Sequence, residues 1–427
     1  MKTVQVKNVV IGEGLPKIAV PVTAADLTQV SEQTAQCVRV GADLIELRAD
    51  LVKEVRGDDG WRQYLAAAGE AAGDVPLIFT VRTSGEGGQF PSSGEAYAQL
   101  VRLAAEDPAV SLVDIELSSP EAAELIRCLA ARGKRVILSR HSFAETPAFG
   151  EILATYLAMD RAGGDILKCA FMPKTEADAG RVLAAAAAAQ QETGKPVIAI
   201  SMGEMGRITR VAGEAVHAAV TFGCLPGEAS APGQLTVSEL KEELTRIHAR
   251  RARGNFLFLT GFMGTGKTAA AEELSALTGL PVIEMDETIS AEAGKDIPAI
   301  FAEEGEAHFR DLETQLLASL SEKEPAVVSC GGGCVLREEN RALMRALGTV
   351  VLLTAEPRTL LSRLAGEAGG RPNLRGRMSE EGIRELMERR AEAYAAAADL
   401  PVATDSLTAK EVAAKICDAL KTGRQEG

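Results

Sequence analysis

The chain contains no run of about 18 apolar residues, so no membrane-spanning helix is expected. Its first residues, MKTVQVKNVVIGEG, lack the apolar core of a signal peptide, and secretion is not expected. Basic charge is not in excess: 46 Lys and Arg stand against 60 Asp and Glu, for a net charge of −14. A nucleic-acid binder shows a basic face, so no nucleic-acid partner is expected. The same acidic balance argues against an anionic membrane surface. Cysteine is sparse. Seven residues, an odd number at scattered positions, fit reduced thiols in the cytoplasm better than a disulfide framework.

What is present is an ordinary globular composition, 46% apolar and 25% charged over 427 residues. At about 150 residues per domain, that length predicts two or three domains, or one barrel plus a smaller unit. From Lys17 to Leu225, short β-rich runs alternate with Ala-rich helical stretches. The runs are KIAVPV, LIELRAD, PLIFTVRT, LVDIEL, RVILSRHSF, ILKCAFM, PVIAISMG and VTFGCL. Their spacing is that of βα units, roughly 30 residues, and the repeat predicts a (β/α)8 barrel. TVQVKNVVIGEG reads as an extra hairpin outside the repeat. A helix is expected from about Ser238 to Ala249, and the basic stretch up to Gly254 reads as a linker. The domains are then 1–250 and 254–427.

In such a barrel the chemistry sits at the carboxyl ends of the strands. The second run places Glu46, Arg48 and Asp50 two apart, on one face. The third ends in Arg82 and a Gly-rich loop holding Glu86; the fourth offers Asp114 and Glu116; the fifth ends at His141. The sixth carries Lys168 inside an apolar run. A lysine there must be paired or neutral, and a neutral amine attacks carbonyl carbon. A purely stabilising pair with Asp114 or Glu116 is the competing reading.

These segments, ELRAD, TVRTSGEGG, SRHSF, DILKCAFMP, SMGEMGRITR and SAPGQLTV, closely resemble type I 3-dehydroquinate dehydratase over about residues 1–245. The resemblance implies a Schiff base between Lys168 and the C3 ketone of 3-dehydroquinate, with no metal or organic cofactor. His141 would move the protons and Glu86 would orient it. Arg210 would pair with the substrate carboxylate, while Glu46, Arg48, Arg82, Ser230 and Gln234 would hold the ring and close a loop. Pro21 stands where a small hydroxyl residue is usual. A homodimer through the barrel domain is also expected.

The second half opens on the buried run NFLFLT and then Gly261-Phe-Met-Gly-Thr-Gly-Lys-Thr268, followed by an Ala- and Glu-rich helix. That pattern in that setting predicts a phosphate loop, in which Lys267 reaches the β and γ phosphates and Thr268 meets Mg²⁺. IEMDETI, FRDLE, CGGGC, GGRPNLRGR and ERRAEAY then resemble shikimate kinase over about residues 254–418. The fold implied is a P-loop kinase domain with a five-stranded parallel sheet, like nucleoside monophosphate kinases. ATP would lie on Gly264, Thr265, Gly266, Lys267, Thr268 and Ala269, with Arg371 closing from a lid. Asp286 would take the proton of the shikimate hydroxyl. Arg310 and Arg390 would hold the shikimate carboxylate, and Gly332 and Gly333 would face the ring. Glu284 replaces the usual aspartate, and Asn373 alters the lid motif.

Cys330 and Cys334 lack the further ligands that a metal needs and read as buried thiols. His308 reads as an exposed helix residue, His248 shows no partner, and Trp61 reads as helix packing. The sequence therefore predicts a bifunctional enzyme, with 3-dehydroquinate, shikimate and ATP as its small-molecule partners. The rival is a non-catalytic metabolite-binding regulator built from the same domains. Such a protein is expected to lack Lys168, His141 or Lys267, and all three are present.

Overall fold

The computed structural model describes residues 2–91, 94–227, 234–251, 255–364 and 379–423. The chain divides into two units, Met1–His248 and Ala249–Gly427.

The first unit begins with an antiparallel hairpin, β1 (Val4–Val6) and β2 (Val9–Ile11). Eight strands follow: β3 (Lys17–Val22), β4 (Leu44–Arg48), β5 (Leu77–Thr80), β6 (Val110–Glu116), β7 (Arg135–Ser142), β8 (Ile166–Phe171), β9 (Val197–Ser201) and β10 (Val220–Phe222). Each pairs in parallel with its sequence neighbour, and β10 pairs back to β3. Between β9 and β10 the ring is closed by the Val197–Ala218 bridge and by Ala219 N donating to Val197 O at 2.8 Å. The eight expected runs are these eight strands.

Side chains of a strand alternate between faces, and this alternation builds the interior in layers. Leu44, Ile78, Leu112, Ile137, Ile166, Ile198 and Val220 form an apolar floor near the amino ends. The hairpin expected outside the repeat covers that floor through Val4, Val6 and Ile11. Two residues further along the strands lie Glu46, Thr80, Asp114, Ser139 and Lys168, all buried. One more step brings Arg48, Arg82, Glu116 and His141. The floor excludes water from below, so the polar layers open toward the carboxyl ends only.

The outward residues, such as Leu47, Phe79, Val113, Leu138 and Leu167, are buried under the helices. The helix Glu176–Thr193 packs closely, with Ala184, Ala185, Ala186 and Ala187 buried. Trp61, on the helix Gly57–Ala72, packs edge-on against Tyr64 and Phe79. The helix expected to stop near Ala249 runs Val237–Arg251. Its last basic residues continue the helix, the division between the two units falls among them, and residues 252–254 lie outside the described residues.

In the second unit, β11 (Phe256–Gly261), β12 (Val282–Glu284), β13 (Val327–Ser329), β14 (Gly348–Thr354) and β15 (Leu400–Ala403) form one parallel sheet in the order β12-β13-β11-β14-β15. The central β11 is buried along its whole length, which is why it reads as an unbroken apolar run. The helices Lys267–Thr278 and Ala409–Gly423 cover one face through Ala270, Ala271, Leu274, Val412, Ala413 and Ile416.

Candidate active sites

Lys168 lies in the second interior layer and is 4% exposed. Its Nζ is 2.9 Å from Asp114 Oδ2 and 3.6 Å from Glu46 Oε1. The ammonium also sits over the Phe222 ring, 4.6 Å from its centroid. Of the two states expected for a lysine there, the structure has the paired one.

Ser139 is Lys168's register partner on β7, so His141 stands one layer above the amine on the adjacent strand. Its Nδ1 is 2.9 Å from Glu86 Oε2, and its backbone N–H donates to the same oxygen at 2.9 Å. Burial, followed by the nearby cations Arg82 and Lys168, holds the imidazole well below its ordinary pKa. His141 is therefore a neutral base at pH 7. Glu86 is raised above the usual carboxylate value by burial and by Glu116.

The 3-10 turn Ser84–Glu86 carries Glu86 inward. It holds its place because Gly88 packs against Arg82: a Cβ there would meet the Arg82 carbonyl oxygen at 2.0 Å. Arg82 itself is buried and gives its terminal nitrogens to Asp114 (2.9 Å), Ser139 (2.9 Å) and Glu116 (3.2 Å). Arg48 is held in a two-point pair by Asp50, at 2.8 and 2.9 Å. Glu46 accepts from Thr80 at 2.9 Å. Arg210 is 3% exposed, and Nη1 donates to the Phe222 carbonyl at 3.1 Å. Its Nε has no partner, and among the described residues no carboxylate pairs with it. Gln234 is half-buried; Ser230 lies outside the described residues.

The second site is a cavity of about 550 Å³ at the carboxyl ends of β11, β12 and β13. Met263, Gly264, Gly266, Lys267, Thr268 and Ala269 line one side; Asp286, Arg310, Gly331, Gly332, Gly333 and Arg390 line the other. The loop leads into the helix that begins at Lys267, and Gly266, Lys267 and Thr268 at its amino end line the cavity. Lys267 Nζ donates to the Gly261 and Phe262 carbonyls at 3.0 and 3.1 Å. The Thr268 hydroxyl donates to Glu284 Oε2 at 2.9 Å. Burial raises Glu284, and Asp286 adds to the shift.

Arg310 is clamped by Glu313 and Glu306, each at 2.8 Å. It lies against Gly333, where a Cβ would meet Nη2 at 2.3 Å. Glu313 is fully buried, and burial pushes its carboxyl up to about 7, with Asp286 contributing and Arg310 opposing. Arg390 donates to the Gly332 carbonyl at 3.3 Å. Arg371 and Asn373 lie outside the described residues.

A family model described as type I 3-dehydroquinase matches residues 18–251, more than half of the chain. The chain belongs to the type I 3-dehydroquinase family. A second model, shikimate kinase, matches residues 263–421. Among similar proteins, the 3-dehydroquinate dehydratase of Clostridium novyi is 35% identical over 251 residues, covering 58% of this chain and 99% of that protein. That of Bacillus velezensis is 38% identical with the same coverage. The crystal structure of 3-dehydroquinate dehydratase from Geobacillus kaustophilus is 32% identical, with a TM-score of 0.56 over 58% of this chain and 97% of that one. The barrel of this chain is thus a type I 3-dehydroquinase barrel, and the chain joins it to a shikimate kinase domain.

Asp50, Asp114 and Glu116 were named from the sequence, whereas Glu313, Tyr394 and Arg363 at the second site were not. Asp50, Asp114 and Glu116 fix the arginines and lysine of the barrel. Glu313 and Arg363 border the second cavity. Tyr394 donates to the Gly332 carbonyl at 2.5 Å, and Arg363 ties Thr404 to the Gly264 carbonyl. For Glu313 the available signal was its i, i+3 spacing from Arg310. The remaining histidines stand aside. His308 pairs with Glu304 on an exposed helix face, and His248, for which sequence offered no partner, meets Glu214 at 2.6 Å. Cys330 and Cys334 are buried thiols, and among the described residues no His, Cys, Asp and Glu cluster could hold a metal.

Proposed function

We propose that the chain carries two reactions: dehydration of 3-dehydroquinate to 3-dehydroshikimate in the barrel, and phosphorylation of shikimate by ATP in the second unit. In the first, His141 takes the ammonium proton of Lys168, the freed amine attacks the C3 ketone, and that proton departs with the carbinol hydroxyl as water when the protonated imine forms. The imine draws electrons from C2, and His141 removes the C2 proton. The C1 hydroxyl leaves with a proton returned by His141, and hydrolysis frees Lys168, so one water is lost overall. Glu86 holds the imidazole; Arg210 takes the substrate carboxylate. Glu46, Arg48, Arg82, Gln234 and Ser230 surround the ring. Lys168 supplies the electron sink itself, so this reaction is proposed to need no cofactor.

In the second reaction, the loop Gly264–Ala269 holds ATP, and Lys267 leaves its carbonyl partners for the phosphates. Asp286 takes the proton of the attacking hydroxyl. Arg310 and Arg390 hold the carboxylate, Gly332 and Gly333 back the ring, and Arg371 is assigned to the transferring phosphoryl group. The Thr268 hydroxyl and Glu284 carboxylate are hard oxygen donors facing this cavity, and they fit Mg²⁺. Bound there, the cation offsets phosphate charge.

We also place the protein in the cytoplasm, with the barrel as the homodimer contact. All seven cysteines are outside disulfides, which supports a reducing compartment. Among the described residues no helix is long and apolar enough to cross a membrane.

The observation that carries the dehydration is a buried lysine one layer below a neutral, carboxylate-bound histidine on the adjacent strand. Borohydride added with 3-dehydroquinate should fix the substrate as a stable amine on Lys168, read by peptide mass. Label on another lysine, or none, refutes the Schiff base.

A further inference from the structure

Glu86 differs from the other barrel carboxylates in how its two oxygens are used. Oε2 faces inward toward His141, accepting from the backbone N–H and meeting Nδ1, each at 2.9 Å, with Arg82 Nη1 further off at 3.8 Å. Oε1 faces outward. It accepts from the Ser118 hydroxyl at 2.8 Å and from Arg140 Nη1 at 3.1 Å. The carboxylate side chain is 2% exposed, while Arg140 is 45% exposed. Ser118, just past the end of β6, is exposed as well. Two surface residues thus grip a buried carboxylate from behind.

We propose that Ser118 and Arg140 are positioning residues for the dehydration, holding the outer oxygen of Glu86 so that its inner oxygen stays an anionic acceptor for His141. The inference rests on Glu86 and His141 acting as the acid–base pair. A carboxylate at Oε2 selects the imidazole tautomer with hydrogen on Nδ1, leaving the Nε2 lone pair for the substrate proton. A protonated Glu86 would instead offer an O–H to Nδ1 and remove that base.

The surroundings make this balance close. Glu116 from β6 and burial both work against the charged form of Glu86. Arg82, 3.8 Å away, Ser118 and Arg140 work for it. Cys169 on β8 feels the same carboxylate, which helps to push its thiol up. On the histidine side, Arg82, Lys168 and Arg48 oppose a positive imidazole and Asp114 favours it. Arg82 is shared with Asp114 and Glu116. Arg140 is thus a cation facing Glu86 that pairs with no other carboxylate among the described residues.

Removing Arg140 makes Glu86 protonate at higher pH, so the acid limb of the dehydration rate moves upward. Because Arg140 is near half exposed, the shift has the size of a surface pair, about 0.5 pH unit. It also shrinks in roughly 1 M salt, where the Debye length falls to about 3 Å.

The test is the pH profile of kcat/KM for 3-dehydroquinate in the full chain and in Arg140→Gln, Arg140→Lys, Ser118→Ala and Glu86→Gln. We expect Arg140→Gln and Ser118→Ala to move the acid limb up, Arg140→Lys to restore it, and borohydride trapping on Lys168 to persist in all four. Profiles of Arg140→Gln and Ser118→Ala that superimpose on the parent, with Glu86→Gln impaired, overturn the inference and leave the acid–base pair standing. A Glu86→Gln profile equal to the parent removes the pair itself, and this inference with it.

Discussion

Asp114 is the point on which the barrel's charges turn, and its replacement by asparagine tests the interior directly. Its Oδ1 is 2.9 Å from Arg82 and accepts from the Ser139 hydroxyl at 2.6 Å; its Oδ2 is 2.9 Å from Lys168. An asparagine keeps one oxygen and turns an N–H₂ toward one of the two cations. Breaking a buried pair costs about 3–5 kcal/mol, since the partner stays buried without its countercharge. Here Glu46, 3.6 Å from Lys168, and Glu116, 3.2 Å from Arg82, remain. The lower end of that range is therefore expected, and about 3 kcal/mol lowers the Tm of a unit this size by roughly 10 °C.

Trp61 is the chain's single tryptophan and lies in the barrel unit, so its fluorescence follows that unit alone. The sign with pH follows from the carboxyl's environment. Burial alone would raise it, but Arg82 and Lys168 outweigh burial and hold it well below the usual range. Its contribution is thus full above about pH 4, near the unfolded value, and is lost as pH falls further. The gap between parent and Asp114→Asn should be constant from pH 5 to 8 and should narrow below pH 4. A Tm difference under about 3 °C, or a gap that does not change in acid, refutes the pairing as drawn.

Arg210→Met should lower kcat/KM for dehydration about 30-fold or more, the scale of about 2 kcal/mol for a lost buried charge contact. A loss below threefold would remove Arg210 from the substrate. Gly333→Ala should push Arg310 aside, because the new methyl carbon meets its guanidinium at 2.3 Å. The shikimate KM should rise about tenfold with the ATP KM unchanged, and equal changes in both would count against this placement. Glu313→Gln should flatten the stability of the second unit between pH 5 and 8. The Glu313 carboxyl, pushed up to about 7 by burial, contributes stability that is present in acid and lost as pH rises through that value. Calorimetry of the second unit should show the parent's Tm falling across that range and the variant's holding; parallel slopes would refute it.

The barrel was legible because parallel strands buried on both faces read as apolar runs, and polar residues placed two apart within them must face one interior. Glu46 and Arg48 on β4, Asp114 and Glu116 on β6, and Lys168 on β8 were visible this way, as was the closing hairpin. The pairings were not. Lys168 could have met Asp114 or Glu116, and only the ring's register brings Asp114 to it and leaves Glu116 to Arg82 and Thr83. Arg140 could not be placed from the sequence, since alternation puts it on the outer face of β7 and the Glu86 that it meets lies 54 residues away. That the helix Val237–Arg251 extends into the basic stretch was not legible, because a run of charges marks a solvated surface without telling helix from loop.

The distribution of charge also bears on how a substrate would lie in the barrel. Arg48 is committed to Asp50, and Arg82 to Asp114 and Glu116. Lys168 lies between Asp114 and Glu46. Each interior cation of the polar layers therefore has a carboxylate of the protein, and a substrate anion placed among them would displace one. Arg210 differs. Burial pulls its guanidinium down from the ordinary value, its Nε has no partner, and among the described residues it meets only a carbonyl. A buried arginine in that state costs stability unless a ligand anion completes it. Arg210 follows β9, and the carbonyl it meets belongs to Phe222 on β10, the ring over which Lys168 sits. A substrate carboxylate on Arg210 would thus be anchored beside Lys168, the proposed nucleophile, and the carboxylate-rich strands β4 to β6 would be left to face uncharged hydroxyls, which accept hydrogen bonds from arginines and donate to carboxylates without repelling either.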